Sequence, residues 1–198
     1  MSAAAISFNQ IRRPSNSPYR GKVAMACLII AEASIFTIFV VAYLFYIGKS
    51  LTGPTPREVL ETPIFYTICL LSSSLTIHYA GKFLQRGKGT AFLSLWSLTI
   101  LLGGLFLFGT GQEWHRLIYE HGLTISTNLF GTTYYSLVGL HAFHVTAGII
   151  MLGIVAVFAF AGRIGSEHSR RVEVLSMYWH FVDVVWVVVF TVVYVLGR

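Results

Sequence analysis

His180 and Asp183 stand three residues apart within Tyr178-Trp179-His180-Phe181-Val182-Asp183-Val184-Val185-Trp186, a run that is otherwise apolar and aromatic. Spacing of three sets both side chains on one face of a helix. Ionisable groups in hydrocarbon are expensive to leave unpaired, so such a pair calls for a partner or a function. Two uses fit: an ion pair or hydrogen bond to a neighbouring helix, or a proton relay. Glu32 raises the same question within Ile30-Ala31-Glu32-Ala33-Ser34-Ile35-Phe36. It is either a proton-exchangeable carboxyl or a neutral acid that ties two helices together, because desolvation disfavours its charged form.

His141 and His144 give a second imidazole pair, in Gly139-Leu140-His141-Ala142-Phe143-His144-Val145. Two histidines on one helical face suit a metal or a haem, or equally a pair of interhelical hydrogen bonds to groups such as Glu32 or Glu113. Spacing of i, i+3 alone is loose evidence for ligation, and no recognisable motif supplies a third ligand. His78 falls near one end of an apolar run, and Glu113 and His115 near one end of another, where water is expected within reach. Trp114 beside them suits an interfacial anchor. Cys27 and Cys69 lie inside apolar runs and are expected to be small buried hydrophobes.

These residues must be positioned by membrane-spanning helices. Of 198 residues 55% are hydrophobic and only 11% charged, against roughly 25% charged in a soluble domain. Apolar stretches at about 23–47, 63–84, 90–112, 129–161 and 174–196 each meet the ~20 residues needed to cross a bilayer. The first is longer than a signal-peptide core and has no small-residue cleavage site, so it is expected to be a retained span. Prolines at 54, 56 and 63 mark the first loop, Gly87 and Gly89 the second, and residues 113–128 and 162–173 the third and fourth. Residues 1–21 are expected to be a polar cytoplasmic tail, and 22–198 a single all-α, five-helix transmembrane domain.

The net charge of +6 does not point to nucleic acid, because the basic residues sit in short clusters between apolar runs. With the N-terminus inside, the inner side collects Arg12, Arg13, Arg20, Lys22, Lys82, Arg86, Lys88, Arg163, Arg170 and Arg171. The outer side holds Lys49, Arg57, Arg116 and Arg198. The excess of inner basic residues predicts N-terminus in and C-terminus out. Lys22, Arg86 and Arg171 at the inner rim are candidates for anionic lipid headgroups. Ser72, Thr76 and Ala80 form a small-residue stripe expected to pack on another helix.

Taken together, these segments resemble subunit III of the haem-copper terminal oxidases. The Tyr178–Trp186 run is similar to that family's final-helix motif almost letter for letter. Gly131-Thr132-Thr133-Tyr134-Tyr135, followed by Gly139 to Val145, is similar to its G-S-T-F-F…T-G-x-H-G-x-H-V segment. Glu32 with Phe36 fits the family's membrane-buried glutamate, and Glu113-Trp114 its acidic-aromatic pair at the outer end of the middle helix. Val138 departs from the usual threonine, Ala142 from the glycine between the histidines, and Gln112 directly precedes Glu113. Five spans look like the shorter bacterial form, whereas the longer form has two more helices at the N-terminus. The resemblance implies a bacterial inner-membrane subunit with no haem, copper or other metal of its own, those cofactors belonging to partner subunits. It further implies a direct contact with oxidase subunit I, bound phospholipid, and a role supporting oxygen reduction and proton pumping. Two other classes compete: a small proton-coupled transporter or channel relaying through Glu32 and His180/Asp183, and a membrane cytochrome binding haem through two of His78, His141, His144 and His180.

Overall fold

Each long helix begins and ends where the chain supplies a local reason. The computed structural model describes residues 20–50 and 53–197. Most of the expected polar tail, with Arg12 and Arg13, and the terminal Arg198 lie outside the described residues. Helix α1 spans Arg20–Tyr46, α2 is a single turn at Pro56–Val59, α3 spans Ile64–Gln85, α4 Gly89–Tyr119, α5 Leu129–Phe160 and α6 Ser169–Phe190. A 3-10 turn at Ser166–His168 precedes α6, and wider π-helical turns at Thr191–Leu196 continue it. Five of these elements are long and apolar enough to cross a membrane.

Asn128 opens α5 by accepting the Gly131 N–H at 2.8 Å, which satisfies a donor the helix itself cannot. Gly87 and Gly162 close α3 and α5 with φ of 72° and 68°. At that backbone angle the chain folds back, so that Lys88 N–H reaches Phe83 C=O and Arg163 N–H reaches Phe158 C=O, both at 3.0 Å. In the first loop, the Thr55 N–H donates to the Glu58 carboxylate at 3.0 Å. That bond holds the Glu58 carboxyl below its ordinary range.

Two loops are shorter than the sequence suggests. Helix α4 runs through Glu113, Trp114, His115 and Arg116 to Tyr119, so the loop expected from 113 begins only at Glu120. Its apolar stretch ends near 112, but the polar residues after it remain good helix formers and nothing breaks the winding before Gly122. Likewise helical structure resumes at Ser166, inside the segment 162–173 expected as loop, because that segment's charges need only a watery helix end.

Helices α5 and α6 pack against each other, with α1 on one side of the pair and the α3–α4 hairpin on the other. Helix α6 touches α1, α3 and α5. Half of its apolar stretch is buried, against 6% for α1. The slot at its centre is made by absent side chains. Trp179 of α6 lies between Gly103 of α4 and Gly148 of α5, and a Cβ on either glycine would come within 2.8 Å of the indole. The Trp179 N–H then donates to Ser73 Oγ on α3 at 2.8 Å, so one side chain touches three other helices. Trp96 N–H donates to Leu152 C=O at 2.9 Å and Trp186 N–H to Thr67 Oγ1 at 3.1 Å. These three indoles thus find the acceptors that hydrocarbon cannot offer, whereas the Trp114 indole nitrogen has no hydrogen-bond partner among the described residues.

Cys69 is buried, but Cys27 is exposed. The expectation for Cys27 fails because α1 buries so little of itself; an apolar run locates a residue in the membrane without saying that it faces protein.

Candidate functional site

The ionisable residues do not converge on one centre. They divide into three sites at different places in the bundle, with His141 apart from them all.

The first site joins α1 to α5. Glu32 Oε2 lies 3.1 Å from His144 Nε2, and His144 Nδ1 lies 2.8 Å from Leu140 C=O. A carbonyl only accepts, so Nδ1 must carry a proton and donate it. Nε2 therefore either accepts from a protonated Glu32 or, itself protonated, donates to a carboxylate. In both states the pair shares one proton along a single bond. His144 is buried, Glu32 keeps about a quarter of its side chain exposed, and Phe36 packs its ring 5.0 Å from the imidazole.

The second site joins α6 to α3. His180 and Asp183 do not bond each other directly; both reach Ser74. Ser74 Oγ is 3.0 Å from His180 Nδ1 and hydrogen-bonds Asp183 Oδ2. Asp183 is buried, and its Oδ1 has no hydrogen-bond partner among the described residues. His78 stands one step away, its ring 6.5 Å from that of His180.

The third site lies at the other end of α6. Tyr194 O–H donates to Glu113 Oε2 at 2.8 Å and lies 3.4 Å from the Tyr134 hydroxyl, which links α4, α6 and α5. Glu113 is half-buried rather than freely hydrated, because α4 extends past it. Arg116, one turn on, pairs with Glu61 from the first loop. Trp114 stacks edge-on to Tyr135 at 5.5 Å.

His141 is completely buried. Its ring stacks on Trp186 at 4.9 Å and meets the edge of Phe106 at 5.6 Å. Neither ring nitrogen has a hydrogen-bond partner among the described residues. Among the lipid-headgroup candidates, Lys22 is engaged, its Nζ 2.6 Å from Glu173 Oε1. Arg86 ends α3, and Arg171 lines a cleft with Arg163, His168 and Phe158. Of the small-residue stripe, Thr76 meets Thr99 of α4 at 2.7 Å. Ser73 and Ser74, one helical step aside, serve α6. Sequence reasoning passed over both, and also Tyr194, since a serine or tyrosine in an apolar run is common and announces no partner.

The histidines offer poor ligand geometry for haem. His144 has both nitrogens occupied, His180 has one against Ser74, and His141 is enclosed by aromatic rings. Among the described residues no group of three or more His, Cys, Asp or Glu side chains could hold a metal ion.

The sequence model of the cytochrome c oxidase subunit III family matches residues 19–198. The chain belongs to that family. It is 32% identical over 168 residues to cytochrome c oxidase subunit 3 of Alkalihalophilus pseudofirmus, covering 84% of this chain and 82% of that one. To cytochrome bo(3) ubiquinol oxidase subunit 3 of Pseudomonas aeruginosa it is 32% identical over 172 residues, covering 85% and 81%. To the cytochrome c oxidase subunit 3 of Synechocystis it is 39% identical over 176 residues, covering 85% and 72%. The subunit III family thus includes relatives named for either electron donor, cytochrome c or quinol. All three polar sites, and the isolated His141, lie within the matched span of this subunit III chain.

Proposed function

We propose that this chain is an accessory subunit of a haem-copper terminal oxidase, without a redox centre of its own. In this reading it packs beside subunit I in a bacterial inner membrane, N-terminus in the cytoplasm and C-terminus outside. It supports an enzyme that reduces oxygen and pumps protons, with haem and copper held by partner subunits. The observation that carries the reading is membership of the subunit III family along nearly the whole chain. That membership favours it over a small proton-coupled transporter.

Two features of the bundle suit the role. Helix α1 is tied at Glu32–His144 and Lys22–Glu173 yet buries almost nothing of its apolar stretch, so its outer face is available to lipid or to another subunit. Between α1 and α6 runs an apolar groove of about 320 Å³, lined by residues such as Ile29, Ala33, Val40, Phe181 and Val188, which suits an acyl chain. Arg86, Arg171 and Arg163 lie toward one end of the bundle, where a phosphate headgroup would meet them, each basic residue contributing about 1 kcal/mol near an anionic surface. The same end holds Lys22, Lys82 and Lys88, and its excess of positive charge supports placing it in the cytoplasm.

Gentle detergent extraction from native membranes tests the proposal. The chain should copurify with a haem-bearing subunit and with phospholipid. Recovery of a stable, monodisperse chain with no partner would overturn it. A stoichiometric Soret band in the isolated chain would instead favour the haem-binding alternative.

A further inference from the structure

Asp183 is the sole aspartate in the chain, and only half of its carboxylate is accounted for. Oδ2 is held by Ser74, while Oδ1 has no partner among the described residues and the residue is 3% exposed. A structural tie between α3 and α6 would need only a hydroxyl or an amide. An ionised carboxylate with one bare oxygen in the membrane interior is a costly way to make one. The cost falls if the group can take up a proton, and the surrounding geometry supplies a way in.

Ser74 has one hydroxyl hydrogen and two neighbours, His180 Nδ1 at 3.0 Å and Asp183 Oδ2. It can donate to one only by accepting from the other. With Asp183 ionised, Ser74 donates to Oδ2 and accepts from His180 Nδ1–H. With Asp183 protonated, the acid donates to Ser74, and Ser74 donates to Nδ1. The two arrangements need no rearrangement of heavy atoms. His180 also lines a cavity of about 300 Å³ between α3 and α6, shared with His78, Lys82, Gln85, Ser169 and Glu173. The cavity lies toward the bundle end where α3 finishes and α6 begins, and its polar and charged side chains share the lining with Ile77, Gly81 and Met177.

We propose that Ser74, His180 and Asp183 form a proton-loading site filled from this cavity, with Asp183 as the acceptor and His180 as the entry point. Water in the cavity gives a proton to His180 Nε2. The proton on Nδ1 passes to Ser74 Oγ as the serine's own hydrogen passes to Asp183 Oδ2. The net change is one proton moved from cavity water to Asp183, with the imidazole left neutral in its other tautomer. No electron moves. The charged and titratable groups brought to this half of α6 are His78 and Lys82 from α3, Lys22 and Glu32 from α1, His144 from α5, and Arg163 from the turn after α5, which lies in a separate cleft with Arg171. Lys22 is engaged with Glu173 on α6 itself, and Glu32 with His144. His78 and Lys82 therefore set the charge at the cavity mouth. The site concerns the chain's own side chains and does not depend on which complex the chain joins.

Infrared difference spectroscopy of the native complex after a drop in pH tests this. A deuterium-sensitive band of a protonated carboxyl should grow in. Asp183→Asn should remove it and Asp183→Glu should shift it, while Glu32→Gln and Glu113→Gln leave it in place. Asp183→Glu keeps a titratable group, so the assignment survives if Asp183→Asn fails to assemble. Ser74→Ala and His180→Gln interrupt the relay but not the acceptor; each should slow the band's growth by about tenfold or more. A band absent from the wild type, one insensitive to Asp183→Glu, or an unchanged rate in both relay variants would overturn the proposal.

Discussion

Helices α1 and α6 carry the same kind of residue, a carboxyl deep in an apolar segment, and are held in opposite ways. Helix α6 is held by shape. Trp179 fills a slot cut by Gly103 and Gly148, Trp186 lies on His141, and the polar contacts to Ser73, Ser74 and Thr67 complete a packing that already specifies position. Helix α1 has little of this, a single close approach of Tyr43 to Gly197 at its far end. Apart from Phe36 and Tyr43 none of its residues is buried, and its register against α5 and α6 rests on Glu32–His144 and Lys22–Glu173. Lipid is as apolar as leucine, so an unshaped helix gains little by leaving it. A polar tie can fix the register of such a helix while leaving its far face free.

The difference predicts a ranking of damage. Trp179→Ala should do most harm, removing the indole from its slot at a cost of roughly 3–5 kcal/mol, the range for large buried aromatic truncations. Thermal unfolding of the detergent-solubilised complex would show it, and a small loss would mean that α6 is not held by shape. Next comes Glu32→Ala, which deletes the α1–α5 bond. Interhelical hydrogen bonds in membranes average about 0.6 kcal/mol and reach about 1.7, so a modest loss is expected, concentrated in retention of α1's contacts as read by cross-linking between α1 and α5. Glu32→Gln sharpens the point, because its amide N–H can still donate to His144 Nε2. If Glu32 is only a tie, that variant should assemble, turn over and last like the parent. A decline during turnover, or a lower proton-to-electron ratio, would assign proton handling to it.

Lys22→Ala should cost less. Both partners are about 40% exposed, and ion pairs in such settings contribute about 0–1 kcal/mol, diminished by salt. Stability measured at low and high ionic strength should differ between Lys22→Ala and the parent only at low salt. The smallest effect is local to α2. The Glu58 carboxyl is held below its ordinary range by the Thr55 N–H. Its contribution to that turn is therefore present above the unfolded carboxylate pKa and is lost as pH falls through the lowered folded value. Hydrogen exchange at the Thr55 amide, corrected for intrinsic rate, should accelerate over that acidic window, and Glu58→Gln should make exchange insensitive to it.

The five spans were legible because crossing a bilayer imposes a length and a polarity that each segment must satisfy alone. Asn128, Pro63, Gly87 and Gly122 were legible for a similar reason, since each acts on the backbone within a few residues of itself. The boundaries at Glu113 and Ser166 were less so, because polar residues can continue a helix into water as readily as they can end it. The ionisable residues announced themselves by being costly where they stand, and Glu32, His144, His180 and Asp183 all prove to have polar contacts on neighbouring helices.

Which contacts those are was decided only by the tertiary structure. His141 and His144 share a helix and a chemistry, yet one bonds Glu32 and the other lies between aromatic rings without a hydrogen bond. Helical periodicity puts two residues near one face; the three-residue step still rotates them far enough to meet different neighbours. His180 and Asp183 were expected as a pair, and it is Ser74, on a helix about a hundred residues earlier in the chain, that joins them. One chain determines where its costly groups lie along the membrane normal, since that depends on local hydropathy. The partner across the interface depends on how helices rotate and cross, and those angles are set by the glycine and tryptophan contacts of the whole bundle at once.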